Sequence, residues 1–381
     1  MNTTTKPLAG IKVLELARIL AGPWAGQVLA DLGADVIKVE SPKGDDTRRW
    51  GPPFVSRSDG QTDAAYFFAC NRGKRSTAID FKSSDGQAEI HRLVKQADVL
   101  IENFKVGSLA AYHLDYESLA LINPRLIYCS ITGFGQDGPY AKQAGYDFVI
   151  QGLSGIMDVT GEPDGAPQKM GVAYADIFTG LYSVIAIQAA LAQRENTGLG
   201  QHIDMSLMDS MVGVLGNQAL NYLVSGISPT RMGNKHPNIA PYETFTTRDS
   251  WLIIAVGNDG QFANLCKVLA LDHLINDPRF ESNSKRLEHR TELGELITQE
   301  TCKHTSQELL ADLIGCGVPA SPINTIEQAL NDPQTIHRQM VLNGQPNAPA
   351  SIRTPIKSNR YSTSTEQTSP RLNQHPKPDW R

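Results

Sequence analysis

The sequence predicts an α/β protein built on a mostly parallel sheet, with a second, smaller domain. Three observations lead there. Strand and helix signals alternate along the first 205 of the 381 residues, as in βαβ folds. Composition changes after about Val224, where residues 226–241 become rich in Gly, Pro and Asn. Hydrophobic residues make up 40% and charged residues 20% of the chain, enough to bury a sizeable core at a length that suits two domains.

Each element has its own signal. Residues 11–16 are a short apolar run suited to a buried strand, Pro23 opens a helical pattern carrying Trp24, Val28, Leu29 and Leu32, Gly33 stops it, and 36–39 is a second strand. The pattern repeats as helix 84–96 and strand 99–103, helix 116–122 and strand 126–132, then a long apolar helix 173–193 and strand 202–205. Beyond the connector come strand 251–256 and helices 261–269, 286–304 and 306–315. The expected division is a large domain over 1–224, a small domain over 225–323 and a C-terminal segment over 324–381. Residues 358–370 read as a polar loop.

Composition excludes several functions. A net charge of -5 without a basic, aromatic stripe argues against nucleic acid. Cys70, Cys129, Cys266, Cys302 and Cys316 form no C-x-x-C pair and read as reduced thiols, and the nine histidines lack metal spacing. Residues 1–12 contain no apolar stretch, and the greasy run 181–192 is broken by Tyr182, Ser183 and Gln188 and is too short to cross a bilayer. A cytoplasmic protein with no membrane partner is expected.

Four motifs bear on chemistry. Ala21-Gly22-Pro23-Trp24-Ala25-Gly26 departs from the dinucleotide fingerprint, and Pro23 lacks the N–H a pyrophosphate would need. The loop Gly44-Asp45-Asp46-Thr47-Arg48-Arg49-Trp50-Gly51-Pro52-Pro53-Phe54 suits a substrate site, but charge runs are more often solvated connections. Asn71-Arg72-Gly73-Lys74-Arg75-Ser76 is either a phosphate-binding loop or an ordinary basic loop. Asp176 stands where the long apolar helix begins. There it is either a helix cap, the commoner use, or a poorly hydrated carboxylate stabilised by the helix dipole and able to attack an activated acyl group. Gly133, Gly135, Gly138, Gly155 and Gly161 are either turns or sources of backbone N–H for an oxyanion.

An ordered set of segments resembles the family III CoA-transferases, of the formyl-CoA transferase (CaiB/BaiF) type. The set includes Pro7-Leu8-Ala9-Gly10-Ile11-Lys12-Val13, Leu32-Gly33-Ala34-Asp35-Val36-Ile37-Lys38-Val39-Glu40, the Gly44 to Phe54 loop and Glu102-Asn103-Phe104. It continues through Gly145-Tyr146-Asp147 and Asp176 to Gly257-Asn258-Asp259 and Gly317-Val318-Pro319, covering roughly residues 6–345. The resemblance implies a Rossmann-like large domain and a smaller α+β domain. It also implies a C-terminal segment returning to the large domain and an interlocked homodimer. Asp176 is the implied nucleophile. Ile19, Ala21, Ile79, Lys82, Asn103, Phe104 and Lys105 are the implied CoA contacts, with Tyr146 beside the thioester. Coenzyme A enters as a thioester substrate, with no permanently bound cofactor or metal, and the other partner is a free carboxylic acid. Leu20 replaces the glutamine of formyl-CoA transferase, and that enzyme's long glycine loop is absent. The stretch 233–241 with Gly257-Asn258-Asp259 looks more like the branch acting on dicarboxylates. An α-methylacyl-CoA racemase is the alternative. It needs two opposed proton carriers, and Tyr146 stands where racemases carry a histidine. A CoA-binding protein without turnover is a third reading.

Overall fold

The computed structural model describes residues 5–57, 59–345, 348–363 and 367–381. The first four residues of the stretch read for a leader, and 364–366 of the polar loop 358–370, lie outside them. The chain divides into two compact units. One comprises Met1–Ile156, Lys169–Gly226 and Pro333–Arg381, the other Met157–Gln168 and Ile227–Asp332.

The larger unit runs β1 (Lys12–Glu15), α1 (Ala21–Asp31), β2 (Asp35–Glu40), a hairpin of β3 (Phe54–Ser56) and β4 (Thr62–Ala64), and a short α2 (Ala65–Phe68). There follow β5 (Arg75–Ala78), α3 (Ser84–Val94), β6 (Val99–Glu102), α4 (Tyr116–Ile122), β7 (Ile127–Thr132), α5 (Asp147–Leu153), α6 (Tyr174–Thr197), β8 (Gln201–Ser206), α7 (Leu207–Gly213) and α8 (Gly216–Ser225). Six strands form one parallel sheet in the order β5-β2-β1-β6-β7-β8. Val13, Val99, Ile101, Ile127 and Cys129 pack on one face with residues of α1 and α6. Leu14, Ile37, Leu100 and Tyr128 pack on the other with residues of α3 and α4. The strand order reverses between β1 and β6. In open parallel sheets, that switch point opens a crevice at the carboxyl ends of the strands.

The smaller unit has an antiparallel sheet of β9 (Tyr242–Thr246), β10 (Trp251–Ala255) and β11 (Ala320–Pro322), in the order β11-β10-β9. Around it lie α9 (Asp259–Val268), α10 (Asn283–Glu288), α11 (Arg290–Thr301) and α12 (Ser306–Gly315), with Phe245, Leu252, Phe262, Phe280 and Leu293 in the core. The single helix expected over 286–304 is two, meeting at His289. The guanidinium of Arg286 is buried there, donating to the carbonyls of Ala240 and Phe280, both at 2.9 Å.

One reading of α6 is corrected. The sequence reading measured only the run 181–192. The helix spans 24 residues and is long and apolar enough, by length and composition, to cross a membrane. Within its unit it packs Ala175, Val184, Ile187 and Leu191 into the core, and Arg194 is buried in an ion pair with Asp98 at 2.7 Å.

Charge also fills the core of the larger unit. Lys38 on β2, fully buried, reaches Glu15 and Asp45 at 3.0 Å each and donates to the carbonyl of Ala17 at 2.9 Å. Lys74 reaches Glu15 at 2.8 Å. Arg48 bridges Glu40 at 2.7 Å and Asp63 at 3.0 Å, Arg72 pairs with Asp31, and Arg75 with Asp35, both at 2.5 Å. Burial opposes the charge on Lys38, but Asp45 and Glu15 outweigh it and raise its pKa. Two sequence readings change as a result. The loop from Gly44 to Phe54 is not a solvated run, because Asp45 and Arg48 are buried, whereas Asp46 and Arg49 stay outside. The Asn71 to Ser76 segment is neither a phosphate loop nor an ordinary basic loop, since its three cations are spent on internal carboxylates. The strand expected after the basic loop is β5, which begins inside the segment at Arg75 and is buried through polar groups.

The cluster constrains its neighbours. A Cβ at Gly26 on α1 would lie 1.8 Å from a Glu15 carboxylate oxygen, so only glycine lets the helix cross there. The segment Pro333–Arg381 is tied to the same unit. Thr354 donates to Asp31 at 2.5 Å, Arg48 to the carbonyl of Pro370 at 3.2 Å, and Trp380 to the carbonyl of Leu93 at 3.0 Å. Lys38→Met leaves Asp45 and part of Glu15 buried without a cation. We expect it to lower unfolding free energy by roughly 3–5 kcal/mol, read from urea denaturation. Loss of less than about 1 kcal/mol would contradict this account of the core.

Candidate functional site

The crevice at the switch point is built from the loops after β1 and β6. Leu16 and Ala17 both donate to the carbonyl of Ile101, at 2.8 and 3.1 Å, carrying the first loop across the end of β6. Asn103 then clasps Arg18 on both sides. Its Oδ1 accepts the Arg18 N–H at 2.9 Å and its Nδ2 donates to the Arg18 carbonyl at 2.7 Å. The next residue, Ile19, has φ of 72°. A β-branched residue in the left-handed region is strained by roughly 1–3 kcal/mol. What holds it is the Asp45 carboxylate, which accepts the Ile19 N–H at 3.3 Å and is itself fixed by Lys38. A Cβ at Gly22 would meet the Ala17 Cβ at 2.3 Å, so the tight return into α1 needs a glycine.

The start of α6 forms the facing wall. Its N-cap residue, Ala173, has no side chain to offer. Asp147 supplies what is missing from α5. Its Oδ1 accepts the N–H of Ala175 at 2.8 Å and, more weakly, of Asp176 at 3.4 Å. Its Oδ2 accepts from Gln151 at 2.7 Å, and Gln151 in turn accepts the Met170 N–H at 2.9 Å. Gly133 and Gly145 bring this segment against the end of β7. A Cβ on either would stand 2.6 Å from the other's Cα.

The cap is therefore Asp147, and the carboxyl of Asp176 is not used to hold its own helix. Burial, and then the neighbouring charge of Asp147, push its pKa up to about 7. The sequence predicts stabilisation of the anion by the helix dipole. The N–H groups that carry that dipole face Asp147 instead.

A cavity of about 440 Å³ lies between these walls. Of the residues singled out from the sequence, Ile19, Ala21, Asn103, Phe104, Lys105, Tyr146 and Asp176 line it. Ile79 and Lys82 do not. Ile79 is buried in the core with Leu16 and Val39. Lys82 is exposed on the turn before α3, and its neighbour Phe81 packs edge-on against Phe104 at 5.4 Å. Gly133 also lines the cavity, whereas Gly135, Gly138, Gly155 and Gly161 have φ between 85° and 124° and serve as turns. Gly257-Asn258-Asp259 belongs to the smaller unit. There Asn258 caps α9, and the Gly257 N–H is taken by Gln261 at 2.8 Å.

Two contributors, Asp147 and Trp50, were quoted only inside motifs, and a third, Tyr66, was not singled out. Asp147 was quoted only as part of a motif, and no local rule signals a cap supplied from another helix. Trp50 lines the cavity from the loop after β2. Tyr66 on α2 meets Trp50 edge-on at 5.5 Å, and burial, then the charge of Asp176, push its phenol up to about 12. It stays a neutral phenol.

Comparison with known proteins agrees with this picture. The sequence profile of CoA-transferase family III matches residues 8–376. A succinate–glutarate CoA-transferase of Agrobacterium fabrum is 55% identical over 380 residues, 98% of this chain and 95% of that protein. The succinyl-CoA:glutarate CoA-transferase of Homo sapiens is 41% identical over 97% of this chain and 84% of its own length. Among solved structures, a CaiB/BaiF family protein from Brucella suis superposes with a TM-score of 0.89 at 59% identity, covering 97% of each chain. A crevice at the sheet's switch point, an uncommitted half-buried carboxyl inside it and these matches along nearly the whole chain lead to one conclusion: the chain belongs to CoA-transferase family III.

Proposed function

We propose that this enzyme moves coenzyme A from succinyl-CoA or a similar donor to a free dicarboxylate through an aspartyl-CoA thioester on Asp176. The carrying observation is that Asp147 caps α6 and leaves the Asp176 carboxyl uncommitted, at the wall of a cavity shared with Asn103, Phe104 and Lys105. The relatives named for succinate, glutarate and succinyl-CoA support the choice of dicarboxylates.

The Asp176 carboxylate attacks the donor's thioester carbonyl, the C–S bond breaks, and CoA thiolate leaves a mixed anhydride. The thiolate attacks the aspartyl carbonyl, releasing the donor's free acid and leaving CoA on Asp176. The acceptor carboxylate attacks this thioester, giving a new anhydride and thiolate. Attack of the thiolate on the acceptor's carbonyl forms the product thioester and restores Asp176. Each step exchanges one activated acyl bond for another, so no nucleotide hydrolysis is needed. A carboxyl with its pKa near 7 is more basic, and so a stronger nucleophile, than an ordinary aspartate. The working form in this proposal is a homodimer in the cytoplasm. CoA is held by the larger unit, which departs from the 1–224 and 324–381 division read from the sequence because 157–168 and 324–332 belong to the smaller unit.

Asp176→Ala abolishes transfer while CoA still binds, checked by a matrix of donor thioesters against free acids with product analysis. Full activity in that variant would sink the proposal, and turnover only of a 2-methylacyl-CoA would replace it with racemisation. In the active chain, kcat/KM rises with pH through about 7, because the carboxylate is the attacking form. A flat profile from pH 5.5 to 8 contradicts this.

The same shift has a stability consequence. The folded value near 7 lies above the 3.8 of a free aspartate, so the folded chain binds this proton more tightly than the unfolded chain. Ionisation then costs the fold on the order of 4 kcal/mol above pH 7. Asp176→Asn removes that cost. Its melting temperature exceeds the parent's at pH 8, and the gap closes towards pH 4. Equal melting at pH 8 would refute it. Among the cations, Lys105→Ala raises KM for acyl-CoA several-fold, and Lys82→Ala, on an exposed turn outside the cavity, changes it less. The reverse order would restore Lys82 as the principal contact.

A further inference from the structure

The other buried acids of the larger unit, Glu15, Asp31, Glu40, Asp45 and Asp63, each meet a cation. Glu102 does not. It is 5% exposed at the end of β6 and forms no ion pair among the described residues. Its Oε2 accepts the N–H of Phe104 at 2.8 Å, directly beneath the Asn103-Phe104-Lys105 wall of the cavity. Its second donor is the hydroxyl of Ser130, its register partner on β7. Ser130 Oγ in turn lies 2.9 Å from Nε2 of His202 on β8. The imidazole stacks on Tyr116 at 5.2 Å and meets Tyr128 edge-on at 5.4 Å. Burial keeps His202 neutral by lowering its pKa.

With Glu102 ionised, one polarity satisfies every member of this chain. His202 Nε2–H donates to Ser130 Oγ, Ser130 O–H donates to Glu102, and Glu102 as a carboxylate accepts from both Ser130 and Phe104. A protonated Glu102 would offer an O–H to Ser130, reverse the chain and require the other tautomer of His202. The titratable groups on the carboxyl's side of the sheet are Asp204 on β8 and Tyr128 on β7, with Ser130 and His202 in the chain itself. None of them is a cation.

We infer that Glu102 is a positioning residue for coenzyme A: as a carboxylate it clasps the Phe104 amide and fixes the 103–105 loop in its CoA-binding form, and on protonation the clasp weakens. Burial, resisted by its bonds from Ser130 and Phe104, brings its pKa to about 7, so the two forms exchange in the working pH range. The inference rests on the reading that this loop holds CoA.

The test is CoA binding by calorimetry in the Asp176→Ala chain, which removes the nearby titration of Asp176 and any turnover. The same measurement in Asp176→Ala/Glu102→Gln cancels the titration of CoA's own phosphate. Relative to the double variant, the single variant binds CoA three- to tenfold more tightly at pH 8 than at pH 6. Ser130→Ala, in the Asp176→Ala background, moves the midpoint of that change to higher pH, because the carboxylate loses one of its two donors. This variant carries the test if Glu102→Gln fails to fold. Parallel pH profiles, or an unmoved midpoint, overturn the role of Glu102. Absence of CoA binding at every pH overturns the reading of the cavity, and this inference with it.

Discussion

The ammonium of Lys38 is the constraint on which the larger unit depends. It is buried between Glu15 and Asp45, and each contact passes its rigidity onward. Glu15 fixes the crossing of α1 over β1 at Gly26 and anchors Lys74. Asp45 holds Ile19 in a backbone conformation that this residue would leave if released. A desolvated charge needs every partner in place, so the ion network defines one arrangement of the crevice where a purely apolar core would tolerate several. The strain at Ile19 is spent at the cavity wall, the usual place for stored backbone strain.

Asp147 performs the complementary task at α6. Helices normally satisfy their first N–H groups with a local side chain. Here the cap comes from a different helix, and the residue that would have been the obvious local cap is left with a half-buried, proton-hungry carboxyl. The cost of burying Asp176 without a cation is borne by the rest of the fold, a common trade at reactive groups. Tyr146 is consistent with attack rather than proton shuttling. It is a largely exposed phenol at the cavity wall, not the imidazole that a racemase pairs with its carboxylate.

Much of the architecture was legible in the sequence, because apolar period and turn chemistry determine it. Helices 116–122 and 306–315 were placed to the residue. What the sequence left unplaced has two causes. β5 is Arg-Ser-Thr-Ala, a strand buried by Asp35 and Glu40 through charge and hydrogen bonds, which hydropathy cannot register. The break at His289 and the helices α5, α7 and α8 depend on tertiary packing. At the site, seven of the residues carried over from the family line one cavity, while Ile79 and Lys82 stand outside it. The local sequence around Asp176 favours a cap, since the side chain that takes that role instead lies 29 residues away in Asp147.

The account turns on Asp176 carrying coenzyme A during turnover. Incubating the enzyme with succinyl-CoA, trapping with borohydride and sequencing the peptide that contains residues 171–180 by mass spectrometry tests this directly. The predicted result is reduction of the Asp176 side chain to the alcohol expected of a thioester, dependent on the donor and absent from Asp176→Asn. An unmodified Asp176 under conditions where the donor is consumed, or a modification on another residue, would contradict it.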